Sequence, residues 1–126
     1  MDKFAHPRKK VKHAPWGRYD QYLYSELGTV KILHIKPGER ISLQRHRTRE
    51  EFWRILDGTA RVTLGEHTIA GKKHDEFFIP KETPHRLEAI DGECVVLAIS
   101  YGHFDPADKE RIEDAYGRAS QAQSAQ

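Results

Sequence analysis

Gln44 and His46 stand two residues apart in the stretch LQRHRTREEFWRILDG, and Glu51 opens the apolar run that follows. In an extended chain, residues i and i+2 point to the same face, so Gln44 and His46 share one. Glu51 likewise shares a face with Trp53 and Ile55. A carboxylate on an apolar face is costly and tends to protonate unless a cation accompanies it. His85, in IPKETPHRLEAI, follows a proline-bounded turn and shares its face with Leu87 and Ala89. Two imidazoles, a carboxylate and an amide oxygen form a mixed nitrogen and oxygen donor set. Such a set suits zinc, manganese, iron, cobalt or nickel and leaves positions for water or substrate, as catalysis requires. Two readings stand on spacing alone. Either these four side chains hold one divalent ion, or Gln44 and His46 are surface residues and Glu51 pairs with Arg49 or Arg54.

The elements that would position these residues are short and alternate with period two. Val30 to Ile35 reads as a strand stopped by Pro37-Gly38, and Ile41 to His46 as another. Glu51 to Leu56 ends at Asp57-Gly58, a hairpin turn. Ala60 to Leu64 alternates and turns at Gly65-Glu66, and His67 to Ala70 pairs back. Glu76 to Ile79, His85 to Ile90 and Glu93 to Ser100 complete the series. Many short strands separated by turn signals predict an all-β sandwich or barrel. A short helix is expected near the end, capped by Asp105, with Pro106 in its first turn and Gly117 at its stop.

The chain has 126 residues, enough for one domain with one core. Its longest apolar run, Cys94 to Ile99, is far too short to span a bilayer. Met1 to Ala14 is basic without the apolar core of a signal peptide. A single cysteine, Cys94, cannot form an internal disulfide and fits a reducing cytoplasm. Basic residues concentrate in the amino-terminal HPRKKVK, yet no aromatic-lined or helical reader accompanies them. Residues 1–14 are therefore read as a flexible basic arm rather than a nucleic-acid contact, and 119–126, ASQAQSA followed by Gln, as a disordered tail.

The spacing resembles that of the cupin superfamily. Gly38, five residues, Gln44-x-His46, four residues, Glu51, six residues and Gly58 is similar to the first cupin motif. Pro80-Lys81-Glu82-Thr83-Pro84-His85 is similar to the second, with Glu82 in its glycine position. Glutamine in place of the first histidine narrows the resemblance to the isomerase domain of type II phosphomannose isomerases. That domain is usually the carboxy-terminal part of a bifunctional enzyme with mannose-1-phosphate guanylyltransferase. Pro15-Trp16-Gly17, Val30-Lys31, Lys36-Pro37-Gly38, Ser42-Leu43-Gln44, Arg49, Trp53, GTARVT from Gly58, HRLE from His85 and RIEDAYGR from Arg111 to Arg118 carry it. Two departures stand out. Thr48 replaces a histidine, and Ser100-Tyr101-Gly102-His103 lacks the glutamate and tyrosine of the family's SGEY segment.

The resemblance implies a single-domain cupin over 15–118, a double-stranded β-helix or jelly-roll barrel. It implies Gln44, His46, Glu51 and His85 as ligands of one divalent metal ion, zinc first, with cobalt, manganese, nickel or iron as alternatives. It also implies interconversion of mannose 6-phosphate and fructose 6-phosphate. Such a reaction moves a proton between C1 and C2, and a metal beside both oxygens stabilises the enediolate. A general base must reach both carbons. Lys31, Glu88 and His103 are the candidates, although Glu88 shares the parity of Arg86 and points away from the ligands. Arg86, Arg111 and Arg118 are candidates to grip the phosphate with their forked guanidinium groups. Trp53 is a candidate pocket wall. A non-catalytic metal- or sugar-binding cupin and an iron-dependent oxygenase are the competing readings. A homodimer paired through a sheet edge is expected, because pairing would cover open strands.

Overall fold

The computed structural model describes residues 4–117. Eleven strands form three sheets. A hairpin of β1 (Lys10–Ala14) and β2 (Gly17–Gln21) comes first. The second sheet has the order β3-β10-β5-β8, from β3 (Gly28–Ile35), β10 (Cys94–Tyr101), β5 (Glu50–Asp57) and β8 (Glu76–Ile79). The third has the order β11-β4-β9-β6-β7, from β11 (Glu110–Glu113), β4 (Leu43–Arg45), β9 (His85–Ala89), β6 (Ala60–Leu64) and β7 (His67–Gly71). Every pairing is antiparallel.

The period-two pattern sets what each sheet buries. Trp53, Ile55, Val62, Leu64, Phe77, Ile79, Leu87 and Val96 meet in one core between the two larger sheets. The opposite faces of β5, β8 and β10 carry a second cluster of Phe52, Phe78, Ile99 and Tyr101. An apolar outer face needs a cover, and the amino-terminal segment supplies one. The His6 ring packs 5.2 Å from Phe52 and 4.9 Å from Phe78. Lys9 pairs with Glu76 at 2.9 Å, and the Phe78 amide donates to the Phe4 carbonyl at 2.7 Å. The basic segment read from sequence as a flexible arm thus contributes β1 and an ordered lining to the outer sheet.

Gly58 shows why the Asp57-Gly58 turn needs glycine. Its φ is +83°, and a Cβ there would stand 2.3 Å from the Glu93 carbonyl oxygen. The turn between β5 and β6 is pressed against the start of β10, and no side chain fits.

The helix expected between Asp105 and Gly117 is absent. Asp105 does accept from the Ala107 amide, as a helix cap would, and the Asp108 amide closes one turn onto the Asp105 carbonyl. The chain then extends. The Asp108 carboxylate accepts from the Arg47 and Thr48 amides, and β11 pairs with β4. Tertiary pairing at the edge of the sheet overrides the local helix signal.

Candidate active site

Ligand candidates come from the neighbouring strands β4 and β9, from β5 of the other large sheet, and from the loop after β4. Gln44 on β4 lies opposite His85 on β9, so the two side chains share a face. Glu51 on β5 lies opposite Ser100 on β10, whose hydroxyl donates to Glu51 Oε2 at 3.1 Å. His46, just past β4, is 3% exposed and His85 is 1% exposed. Ligand atoms of His46, Glu51 and His85 all lie within 4.8 Å of one another.

Hydrogen bonds settle which nitrogens face inward. His46 Nδ1 lies 2.7 Å from the Asp108 carbonyl, and His85 Nδ1 lies 2.8 Å from the Thr83 carbonyl. A carbonyl only accepts, so each Nδ1 carries the proton. In a neutral imidazole Nε2 then presents a lone pair. Burial pushes His46 down to about 4, against the pull of Glu51, and burial likewise lowers His85. Both rings are neutral at pH 7. Their Nε2 atoms nevertheless stand 3.2 Å apart, with Glu51 Oε2 at 3.4 Å from one and Glu51 Oε1 at 3.6 Å from the other. Two lone pairs and a carboxylate converge with no proton between them, an arrangement that favours a cation. Metal bonds of about 2.0–2.2 Å place neighbouring ligand atoms about 2.8–3.6 Å apart in octahedral or tetrahedral geometry. The observed separations fit.

Arg49, which is 3% exposed, supplies positive charge beside this cluster. Its Nε donates to Glu51 Oε2 at 3.1 Å, Nη1 donates to the Asp105 carbonyl at 3.1 Å, and Nη2 approaches His46 Nε2 at 3.4 Å. Burial acts to raise the Glu51 carboxyl, but His85, His46 and Arg49 outweigh it and hold the group below its ordinary value. The ion pair with Arg49 and the convergence on two histidines therefore coexist. Arg54 lies on the other face, bonded to Glu76 at 2.5 Å.

A cavity of about 590 Å³ opens onto the cluster. It runs between the edge strand β3 and the wall formed by β4 and β11. Gln44, Glu51, Trp53 and Ser100 line its inner end, and Lys31, Lys36, Arg40, Arg49, Lys109 and Arg111 give it six cations. Phe104 lies between two of them, with Lys31 Nζ and Arg49 Cζ each 4.3 Å from its ring centroid.

The sequence candidates divide sharply here. Gln44, His46, Glu51, His85, Trp53, Lys31 and Arg111 gather at the cavity or its buried end. Glu88 does not. It faces away, paired with Arg61 at 2.8 Å, as its parity required. His103 is exposed and outside the cavity lining. Arg86 is buried elsewhere, donating to the Ile41 carbonyl at 3.0 Å and to the Glu113 carboxylate at 2.6 Å, so it ties β9 to β11. Arg118 lies outside the described residues. Arg49, Asp108 and Lys109 were not singled out for the site. Arg49 was visible inside the matched motif. Asp108 and Lys109 were hidden in a segment read as helix.

Residues 2–114 match the family described as mannose-6-phosphate isomerase C-terminal. The chain belongs to that family. It is 36% identical over 112 residues to the alginate biosynthesis protein AlgA of Pseudomonas aeruginosa, covering 86% of this chain and 23% of that protein. It is 37% identical over 119 residues to the mannose-1-phosphate guanylyltransferase ManC of Salmonella typhimurium, covering 90% of this chain and 24% of that one. The chain thus spans about a quarter of the length of these relatives. Among solved structures, KdgF from Halomonas shares the fold with a TM-score of 0.60 at 16% identity, covering 77% of this chain and 79% of that one. A sugar phosphate isomerase of the cupin superfamily from Silicibacter pomeroyi gives 0.56 at 18% identity, covering 63% and 52%. The fold is the all-β cupin architecture, without the terminal helix.

Proposed function

We propose that this chain is a metal-dependent aldose-ketose isomerase that interconverts mannose 6-phosphate and fructose 6-phosphate. The observation that carries the reading is the meeting of two neutral imidazoles and a buried carboxylate at the end of a cavity walled by six cations. His46, Glu51 and His85 hold one divalent ion, zinc before cobalt, manganese, nickel or iron, with the Gln44 amide oxygen as fourth ligand. Bound there, such an ion draws electron density from the sugar oxygens and stabilises charge that develops on them.

The chain's own residues do the rest. Arg111 and Lys31 bind the phosphate, and Trp53 closes the inner wall. Asp108 and Thr83 hold the histidine rings in orientation through their carbonyls, as outer partners of metal ligands commonly do. The family match and the relatives' names support the substrate. A binding-only role is the second reading. It is favoured by Tyr101, which turns outward to the Tyr22 carbonyl, and by His103, which lies outside the cavity.

The protein should be stripped with chelator, reloaded separately with zinc, cobalt, manganese and nickel, and assayed for conversion of mannose 6-phosphate. Conversion restored by metal and abolished in His46→Ala is expected. Metal binding without conversion by any form would overturn the isomerase and leave the binding role.

We also propose a homodimer working in the cytoplasm. β3 is an edge strand whose outward face exposes Val30 at 57% and Ile32 at 52%, and the sole cysteine is a buried free thiol. Light scattering on the eluting protein is expected to give twice the chain mass, and Ile32→Lys the mass of one chain.

A further inference from the structure

We propose that Lys109 is the group that takes the proton from one sugar carbon and returns it to the other, an inference that rests on the isomerase reading above. Lys109 precedes β11, which pairs Arg111 with Gln44, and so it is fixed beside the ligand wall. It lines the same cavity as Gln44 and Glu51. Arg49 is committed to Glu51 and Arg86 to Glu113, whereas no ion pair involves Lys109 among the described residues.

The surroundings favour its neutral form. Burial, then Arg111 on β11, Arg49 after β4 and Lys31 on β3, push the ammonium down to about 8, against the pull of Glu51 on β5. An ordinary lysine is almost wholly protonated near pH 8 and cannot accept a proton. Here a large fraction is free amine, which suits a general base. The other basic candidates lack this combination. Lys31 lies over the Phe104 ring, Glu88 is paired on the opposite face, and His103 is exposed.

In the open-chain aldose the Lys109 Nζ lone pair takes the C2 proton. The C2–H electrons form the C1=C2 double bond, and the carbonyl pair moves onto O1. The O2 proton passes to O1. The Lys109 ammonium then returns its proton to C1 as C2=O forms, and the amine is regenerated.

Lys109→Arg separates proton transfer from anion binding, because arginine keeps the charge but stays protonated. Lys109→Arg and Lys109→Met should each lower kcat about 100-fold or more, with KM changed by only about threefold. Both should also stop wash-out of deuterium from C2-deuterated mannose 6-phosphate into water. The wild-type rate should rise with pH through about 8, and the residual variant rate should lack that limb. Acetylation of the intact protein offers a readout free of turnover. Lys109 should react faster than the surface lysines near pH 8 and be shielded by mannose 6-phosphate.

If Lys109→Arg keeps near wild-type kcat while Lys109→Met raises KM, Lys109 only grips the anion. The proposal then falls while the isomerase stands. Slow, unshielded acetylation also overturns it. Wild-type protein inactive with every metal overturns the isomerase reading and this proposal together.

Discussion

The carbonyls behind two histidines leave both rings able to serve as metal ligands. Asp108 and Thr83 fix both Nδ1 protons, so both Nε2 lone pairs face Glu51. The types and spacing of Gln44, His46, Glu51 and His85 were legible in the sequence, because i, i+2 parity sorts faces before any fold is known. What parity could not separate was the metal from the Arg49 pair, since Arg49 belongs to the same cluster. Glu82 carries a second residue-level lesson. It stands where the motif has glycine, and its φ is +64°. A left-handed conformation costs a residue with a Cβ about 1–2 kcal/mol, partly offset by the greater unfolded-state freedom of glycine. Glu82→Gly is therefore expected to leave stability unchanged or raise it by up to about 1 kcal/mol in urea unfolding. A clear loss would show that the Glu82 side chain has a role of its own.

The β4–β11 edge joins site to scaffold. The Asp108 carboxylate accepts from the Arg47 and Thr48 amides and from the Thr48 hydroxyl at 2.5 Å, while its carbonyl holds His46. Thr48, which departs from the family's histidine, thus fastens the strap. Asp108→Ala keeps the carbonyl that His46 bonds but removes the carboxylate that anchors this segment to Arg47 and Thr48. The segment should loosen and zinc affinity fall about 10-fold, read by calorimetric titration of stripped protein. Unchanged affinity would show that the carbonyl keeps its place without the carboxylate anchor. This edge is also where the sequence misled. Asp105-Pro106 and Gly117 are sound helix punctuation, and one turn does form. The pairing of Arg111 with Gln44 joins residues far apart in the chain, and no local signal reveals it.

At the level of the molecule, alternation along eight strands predicted two faces per sheet, and the two larger sheets carry an apolar cluster between them and another on an outer face. The cover on the outer face was not legible, because HPRKKVK reads as solvated until Phe52 and Phe78 are seen to need a lid. The buried histidines link site and stability. Burial lowers both in the folded state, His46 to about 4 from 6.5. Below pH 6.5 the unfolded chain binds protons that the folded chain refuses, so stability falls with pH. In metal-free protein the contribution is complete above pH 6.5 and is lost progressively down to about 4. Thermal unfolding of wild type against His46→Gln across that window is expected to show a shallower pH dependence in the variant. Equal slopes would place the acid sensitivity elsewhere.

Mannose 6-phosphate conversion, followed while stripped protein is titrated with zinc, tests the metal and the chemistry together. Conversion should be absent at the start, rise linearly, and level off at about one zinc per chain. Conversion that ignores the titration, or none at any zinc level, would contradict a metal-dependent isomerase built on His46, Glu51 and His85.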